Sequence, residues 1–458
     1  MNEFNNKKVL VLGMARSGIA AAELLHKFGA AVFISDMKEK DAFKGALDGV
    51  LSFVEKAYLG SDVTAEMLEG KDLMVISPGV PIDAKPVLLA ESMGIPVMGE
   101  MEMAVRLSKG ELVAVTGTNG KTTTVTLLGE IFKAAGRNAF VCGNVGYPVS
   151  AAAMDAKDGD VIVAEVSSFQ LESISSFHPL SAAVLNITED HLNRHKTMER
   201  YIELKKHIFV NQTAGDTAVL NMDDPLTRTF AADLKGKVAF FSRKEEPSEG
   251  AFVRDGKIIC RMNGEEKTVC GADEVYIPGP HNLENALAAT AMAMSRGVPA
   301  AVIRHVLKTF KGVEHRIEFT RELEGIRYIN DSKGTNTDST IKAVEAMTRP
   351  TALILGGYDK HVSFVPLAKC IMQHELIRRC VLIGVTADQI ERELKAEGYT
   401  AITRASSMED AVLKCRAAAE DGWNVLLSPA CASFDMFDDY EQRGRIFKQI
   451  VNELKPEA

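Results

Sequence analysis

No cysteine of this chain has a partner at the spacing that metal sites and redox pairs use. The seven, at 142, 260, 270, 370, 380, 415 and 431, form no CxxC pair, so neither a zinc site nor a disulfide framework is indicated and a reducing compartment is expected. No stretch approaches the roughly 18 consecutive apolar residues of a membrane span, so no membrane insertion is expected. Positive charge is in short supply as well. With 53 Lys and Arg against 62 Asp and Glu, the formal charge is −9, which argues against a nucleic-acid partner and leaves room for a local basic pocket that takes a small anion. Lys7 and Lys8 precede VLVLGMA in a weak imitation of a signal peptide, but Arg16 interrupts the apolar run, and a cytoplasmic protein is expected. Short repeats and low-complexity tracts are missing too. At 458 residues, with 46% apolar and 25% charged residues, the chain reads as roughly three ordinary globular domains.

What is present is clearest at ELVAVTGTNGKTTTVTLLGEIF, residues 111–132. An apolar strand runs into a glycine-bracketed loop, Gly117-Thr118-Asn119-Gly120, and then into a helix with Lys121, Thr122 and Thr123 at its mouth. The glycines let backbone N–H groups turn toward a phosphate, and the helix N-terminus adds partial positive charge. Lys121 can reach the β and γ oxygens, and the Thr122 hydroxyl can sit on Mg²⁺. ATP is the expected nucleotide. Val115 stands where the standard P-loop has its first glycine, and Gly117 lies only three residues before Gly120; this compression points to a particular ATPase subgroup.

Residues 8–36 read as a strand, a tight loop, an Ala/Leu-rich helix to about Phe28 and a second strand ending at Asp36, the opening of a doubly wound α/β unit. The loop is Gly13-x-Ala15-x-x-Gly18, with alanine in place of the second glycine of the dinucleotide fingerprint. Two readings stay open: a diphosphate-bearing nucleotide over the helix N-terminus with Asp36 near its sugar or base, or a Rossmann-like fold with an empty crevice. DLMVISPGV ends at Ser77-Pro78-Gly79, again at a strand's carboxyl end. Further strands are expected in FVCGNVG, DVIVAEVSS, SAAVLNI and TAVLNMD. From about 238 to 278, VRDGKIIC and RMNGEEKTVC suggest antiparallel hairpins, and TALILGG, CVLIGV and NVLLSPA return to α/β. The expected class is α/β in three domains: Rossmann-like over 1–99, a P-loop ATPase-type parallel sheet with an antiparallel edge over 100–312, and Rossmann-like over 313–458.

Chemistry gathers at strand ends. Glu165 closes VIVAE, Asn144 lies in CGNVG, Asp190 and His191 follow LNI, and Lys205 is expected to begin a helix soon after Tyr201. Glu165 and His191 could ligate Mg²⁺ or Mn²⁺ beside the ATP phosphates. NDSKGTN at 330–336 presents Asp331, Lys333, Thr335 and Asn336, either as a second-substrate site or as a polar turn with Asp331 as helix cap. Asp359-Lys360 puts another charge pair at a strand end. SPACASFD, residues 428–435, is expected to open the last helix through Ser433 and Asp435, its N–H groups facing a carboxylate. Cys431 reads as an inert thiol.

Taken together, GTNGKTT, EVSSFQLE, NITEDHLNRH, the Tyr201-to-Lys205 spacing, HNLENALAA, GVEHR, NDSKGTN and SPACASFD resemble the Mur ligases of bacterial cell-wall synthesis over nearly the whole chain. GMARSG, NDSKGTN and SPACASFD are similar to the D-glutamate-adding branch. The resemblance implies a UDP-sugar domain, a central ATPase domain and a closing C-terminal domain. It also implies ATP-driven formation of an acyl phosphate on UDP-N-acetylmuramoyl-L-alanine, followed by attack of the D-glutamate amine. It assigns Gly117 to Thr123 and Asn282, Arg316 and Asp331 to the nucleotide. Thr122, Glu165, His191 and Lys205 go to two metal sites, with Lys205 as a carbamate, and Lys121, His191 and Lys205 to catalysis. Ala15, Arg16, Asp36, Ser77, Gly79, Asn144, Ser167 and Gln170 go to the UDP-linked substrate; Lys333, Thr335, Lys360, Ser433, Phe434 and Tyr440 go to D-glutamate. Tyr440 departs from the family's phenylalanine, and Met37 and Lys38 from its polar and basic pair. A monomer is expected. Rival readings are another amino-acid-adding Mur ligase, a folylpolyglutamate synthase-like amide ligase, a nicotinamide-dependent protein, and a regulator with a vestigial ATPase.

Overall fold

Unbroken apolar runs such as VLVL at 9–12, VAV at 113–115 and LIL at 353–355 suit strands covered on both faces, and they form the centres of three sheets. In the computed structural model, which describes residues 2–144, 146–359 and 362–456, with Asn193 through its backbone only, twenty strands are assigned. The first sheet holds β1 (Lys8–Leu12), β2 (Ala31–Asp36), β3 (Lys56–Leu59), β4 (Leu73–Ile76) and β5 (Val97–Gly99). Its order is β3-β2-β1-β4-β5, all parallel. Gly18 lies in the first turn of the helix Arg16–Lys27. A Cβ there would lie 1.9 Å from the Gly13 carbonyl oxygen, so the tight strand-to-helix approach demands glycine at that position.

The second sheet holds β6 (Glu111–Thr116), β7 (Ala139–Gly143), β8 (Val161–Glu165), β9 (Ser181–Val184), β10 (Thr217–Asn221), β11 (Lys237–Ser242), β12 (Gly250–Arg254), β13 (Lys257–Met262) and β14 (Glu265–Gly271). They lie in the order β14-β13-β12-β11-β10-β9-β6-β8-β7. From β7 to β12 the pairs are parallel, and the expected hairpins follow at the edge. Asp255-Gly256 and Asn263-Gly264 make the two turns, each residue with positive φ, as two-residue primed turns require.

The third sheet holds β15 (Glu318–Leu323), β16 (Ile326–Asn330), β17 (Thr351–Leu355), β18 (Ile377–Leu382), β19 (Ile402–Arg404) and β20 (Asn424–Leu427). The order is β15-β16-β20-β17-β18-β19, antiparallel only at β15.

The chain divides into two compact units, Met1–Tyr276 with Glu284–Phe310, and Ile277–Leu283 with Lys311–Ala458. In the first unit one continuous core runs from Val9 and Leu24 to Ala114 and Ala152, because the helices Arg16–Lys27 and Glu100–Leu107 pack on the helix Val149–Asp155. Each fully buried Val, Leu or Ile in such a core contributes about 1.5–3 kcal/mol relative to exposure. The second unit has its own cores on both faces of its sheet. Among the described residues no helix is long and apolar enough to cross a membrane.

Candidate active site

The loop after β6 turns where its two glycines permit it, with φ of 147° at Gly117 and 85° at Gly120. It leads into the helix Lys121–Ala134. Lys121 folds back over the loop, its Nζ donating to the Gly117 and Thr118 carbonyls at 2.7 Å each. The loop is braced from β9 outward. The Asn119 N–H donates to Asn186 Oδ1 at 2.8 Å and Asn186 Nδ2 donates back to the Asn119 carbonyl at 3.1 Å. Thr118 Oγ1 lies 3.2 Å from the Tyr201 hydroxyl and accepts from the Thr188 N–H at 3.0 Å. Thr123 is buried on the helix.

Behind the loop, the Thr122 hydroxyl donates to Oε2 of the buried Glu165 at 2.8 Å, and Asn144 Nδ2 donates to Oε1 at 3.0 Å. Gly143 allows this approach, since a Cβ there would stand 2.2 Å from the Glu165 carbonyl. Ser167 and Gln170 form a capping box around the short helix Ser168–Leu171, so their side chains already engage each other. His191 is half exposed, with Nε2 3.6 Å from Asp190 Oδ2. Lys205 is buried, and its Nζ donates to the Gly117 carbonyl at 2.8 Å and toward Thr116 Oγ1 at 3.4 Å. It does not begin a helix as expected but is the penultimate residue of Met198–Lys206, because Thr197 caps that helix by accepting the Arg200 N–H. Thr122, Glu165, Asn144, Lys121 and Lys205 thus converge at the carboxyl ends of β6, β7 and β8.

In the first sheet both Asp36 oxygens accept backbone N–H groups, from Met14 at 2.7 Å and Lys38 at 2.9 Å. Ala15 and Arg16 lie exposed at the helix start. The Ser77 hydroxyl donates to the Gly13 carbonyl at 2.6 Å, and open space adjoins Gly79. Ser77, Phe169 and Gln170 line one crevice, which joins candidates from two distant motifs.

In the third sheet Asp331 is fully buried, accepting the Ser428 hydroxyl at 2.7 Å and the Ile317 N–H at 3.2 Å. Burial lifts its carboxyl to about 6 against the pull of Arg316, whose Nη1 lies 3.9 Å away. Asn336, not Asp331, caps the helix Thr337–Glu345, accepting the Ser339 N–H. Lys333 Nζ stands 5.4 Å from the Tyr440 ring centre, and the Thr335 N–H donates to the Lys333 carbonyl. Ser433 is buried, while Phe434 is exposed and meets Tyr358 edge-on at 6.0 Å. The SPACASFD run does not open the last helix. Asp439 caps Tyr440–Glu453 by accepting the Gln442 N–H, and turns separate it from Ser433 and Asp435. Asn282 sits in the 277–283 segment, its Nδ2 donating to the Pro278 carbonyl at 2.7 Å. Lys360 lies outside the described residues. A cavity of about 500 Å³, walled by Met408, Leu413, Phe437 and Ile450, holds none of these residues.

Comparison with known proteins follows this division of labour. Three family models match: a Mur ligase MurD-like N-terminal domain over residues 7–99, a Mur ligase middle domain over 115–293, and a Mur ligase, glutamate ligase domain over 315–431. The UDP-N-acetylmuramoylalanine--D-glutamate ligase of Thermoanaerobacter pseudethanolicus is 48% identical over 455 residues, 99% of this chain and 100% of that protein. The chain belongs to the Mur ligase family. The like-named ligase of Pelotomaculum thermopropionicum is 47% identical over 99% of both chains. Solved structures share the fold at lower identity. They include the UDP-N-acetylmuramate-alanine ligase MurC of Thermotoga maritima, at 21% identity and TM-score 0.61 over 98% of this chain and 100% of that one. The MurF ligase of the same organism in complex with ADP stands at 16% and 0.62, over 99% and 100%. Mur ligases form amide bonds at the expense of ATP in peptidoglycan synthesis.

Two electrostatic features of this Mur ligase stand out. Burial pushes the Lys205 ammonium well below the ordinary lysine value, the Lys121 charge pushes the same way, and Asp190 and Glu165 oppose both. Burial also lowers the Arg443 guanidinium to about 10, yet its side chain holds two loops together. It donates to Ser332 Oγ at 2.9 Å and to the carbonyls of Ser332, Cys431 and Ala432 at 2.7, 3.1 and 3.2 Å. Sequence reasoning missed Arg443, Asn186 and Asn285. Asn285 Oδ1 would lie 2.3 Å from a Cβ at Gly120 and accepts the Thr124 hydroxyl at 3.3 Å. A signal for Asn285 existed in the NLEN spacing of 282–285, which repeats an amide one helical turn on.

Proposed function

We propose that this Mur ligase joins D-glutamate to UDP-N-acetylmuramoyl-L-alanine, with ATP as the energy source, in the cytoplasmic assembly of a peptidoglycan precursor. The reading is carried by the phosphate loop with its Thr122 hydroxyl on buried Glu165, in a chain that runs end to end with relatives bearing that activity in their names.

Gly117 to Thr123 cradle the triphosphate, and Lys121 exchanges its two loop carbonyls for the β and γ oxygens. The Thr122 hydroxyl and the Glu165 carboxylate are hard oxygen donors and fit Mg²⁺, with Mn²⁺ as substitute. Among the described residues no group of three or more His, Cys, Asp or Glu could hold a metal, so a bound Mg²⁺ would draw its remaining ligands from phosphate oxygens and waters. His191 and Lys205 would serve a second ion. Burial disfavours its ammonium, so Lys205 gives up its proton more readily than an exposed lysine, and the resulting amine can add CO₂ with loss of a second proton to become an anionic oxygen donor. Bound Mg²⁺ would screen the charge between an incoming carboxylate and the triphosphate.

A substrate carboxylate oxygen attacks the γ-phosphorus and the bond to the ADP oxygen breaks, giving an acyl phosphate. The deprotonated D-glutamate amine then adds to the acyl carbon, and inorganic phosphate leaves with the former carboxylate oxygen. Lys121 balances the negative charge that develops in the first step. Residues 1–99, with Ala15, Arg16, Asp36, Ser77 and Gly79, take the UDP end, and Asn144, Ser167 and Gln170 the muramoyl end. The central domain, 100–312, takes ATP with Asn282, aided by Arg316 and Asp331. Residues 313–458 take D-glutamate at Lys333, Thr335, Lys360, Ser433, Phe434 and Tyr440. With ¹⁸O in the substrate carboxylate, one labelled oxygen is expected in the released phosphate. Unlabelled phosphate alongside amide product would overturn the acyl-phosphate route.

A further inference from the structure

Ser168, His195 and Glu172 form a series of polar contacts that no role above uses. Ser168 Oγ lies 2.9 Å from His195 Nε2, and His195 Nδ1 lies 3.4 Å from Glu172 Oε1. The order suggests a nucleophilic triad, but Ser168 and His195 are buried at 3% and 5% exposure, with no access for an acyl group. Their surroundings indicate a different task. Glu172 also pairs with Arg194, whose guanidinium lies 4.6 Å over the Phe169 ring. Phe169 stands edge-on to His191 at 4.9 Å and beside His195 at 5.3 Å. The His195 ring also approaches Tyr201 at 5.4 Å, and the Tyr201 hydroxyl lies 3.2 Å from Thr118 Oγ1 in the phosphate loop. One imidazole therefore joins the Ser168–Leu171 helix, the turn that follows His191 and the brace behind the phosphate loop.

That turn needs an external anchor. Leu192–His195 is a single helical turn, too short to be stable by itself. It is flanked by His191 and Lys196, both non-glycine residues with positive φ, 55° and 69°. Backbone in that region persists only where the surroundings impose it. We propose that His195 is a positioning residue: held by Ser168 and Glu172, it fixes the strained turn and thereby the place from which His191 serves the reaction. The inference rests on the ligase reading above and adds a residue to its machinery.

The test compares His195→Phe, Ser168→Ala, their double variant and His195→Gln in the full chain. His195→Phe is expected to lower kcat about tenfold or more, leave the KM for ATP within about twofold and raise the half-saturating Mg²⁺ concentration. Ser168→Ala should act in the same direction, the double variant should be no worse than the stronger single one, and His195→Gln, which can still reach Ser168, should recover part of the loss. Amide hydrogen exchange at Arg194, His195 and Lys196, whose N–H groups close this turn, should accelerate in His195→Phe while the helix Lys121–Ala134 stays protected. Unchanged exchange, unchanged kcat and Mg²⁺ dependence in an otherwise active enzyme, or multiplicative losses in the double variant would overturn the proposal. A wild-type protein silent toward D-glutamate would instead sink the ligase reading, and the exchange comparison would still judge the anchor.

Discussion

At the scale of single residues, Lys205 is held where its charge is least welcome. Its ammonium has a carbonyl and a hydroxyl for company, and among the described residues no carboxylate lies within ion-pair distance. Because burial lowers its affinity for a proton in the fold, the unfolded chain binds that proton more readily below the ordinary value of 10.5. Stability must then rise with pH from the folded pKa up to that value, and the burden is greatest below the folded pKa. Lys205→Met is therefore expected to melt higher than wild type at neutral pH, with an advantage that narrows as pH climbs, and to release no phosphate. Thermal unfolding across a pH series checks the first part, and an advantage that widens with pH would refute it. Lys205→Ala should regain some turnover when a short carboxylic acid is added; no recovery counts against the carbamate. The resemblance singled out the lysine, whereas its position at the end of a helix was not legible, since the cap that sets that helix is Thr197.

Among the elements, the helix Tyr440–Glu453 does more than close the third sheet. Arg443 reaches from its first turn into the NDSKGTN and SPACASFD loops, satisfying three backbone carbonyls and one hydroxyl. Arg443→Met would take the donor from the Ser332 and Cys431 carbonyls, while the Ala432 carbonyl keeps the Tyr358 N–H, at about 1–3 kcal/mol for each group that finds no other partner. A fall in stability of about 3 kcal/mol is expected, together with roughly a tenfold rise in KM for D-glutamate and little change in KM for ATP. Steady-state kinetics with each substrate varied would show whether the loss is confined to the amino acid. Nothing in EQRGRIF marks this arginine as buried, because an arginine beside Glu441 and Gln442 reads as a solvated face. By contrast, the DG and NG hairpins and the glycine-bracketed phosphate loop were legible because their residue types are imposed by backbone geometry. The last helix was misjudged for a related reason: Ser433, Asp435 and Asp439 all have capping side chains, and only the tertiary path selects Asp439.

For the whole molecule, the apolar runs announced three α/β sheets, but not their strand order. β20, the last strand in sequence, lies between β16 and β17, a placement decided by long-range pairing that local pattern does not carry. The candidate site was legible to the extent that its residues stand in loops at strand ends: Thr122, Glu165 and Asn144 lie together, and Lys333 lies near Tyr440. The brace of Asn186, Tyr201 and His195 around them was not legible as a unit, because its contacts join separated turns. The claim that binds sequence, fold and chemistry is the choice of amino acid. The most direct measurement is ATP-dependent phosphate release in the presence of UDP-N-acetylmuramoyl-L-alanine, with D-glutamate, L-glutamate, L-alanine or meso-diaminopimelate as acceptor. Release confined to D-glutamate is the expected result; release driven by another of these amino acids, or by none, would contradict it.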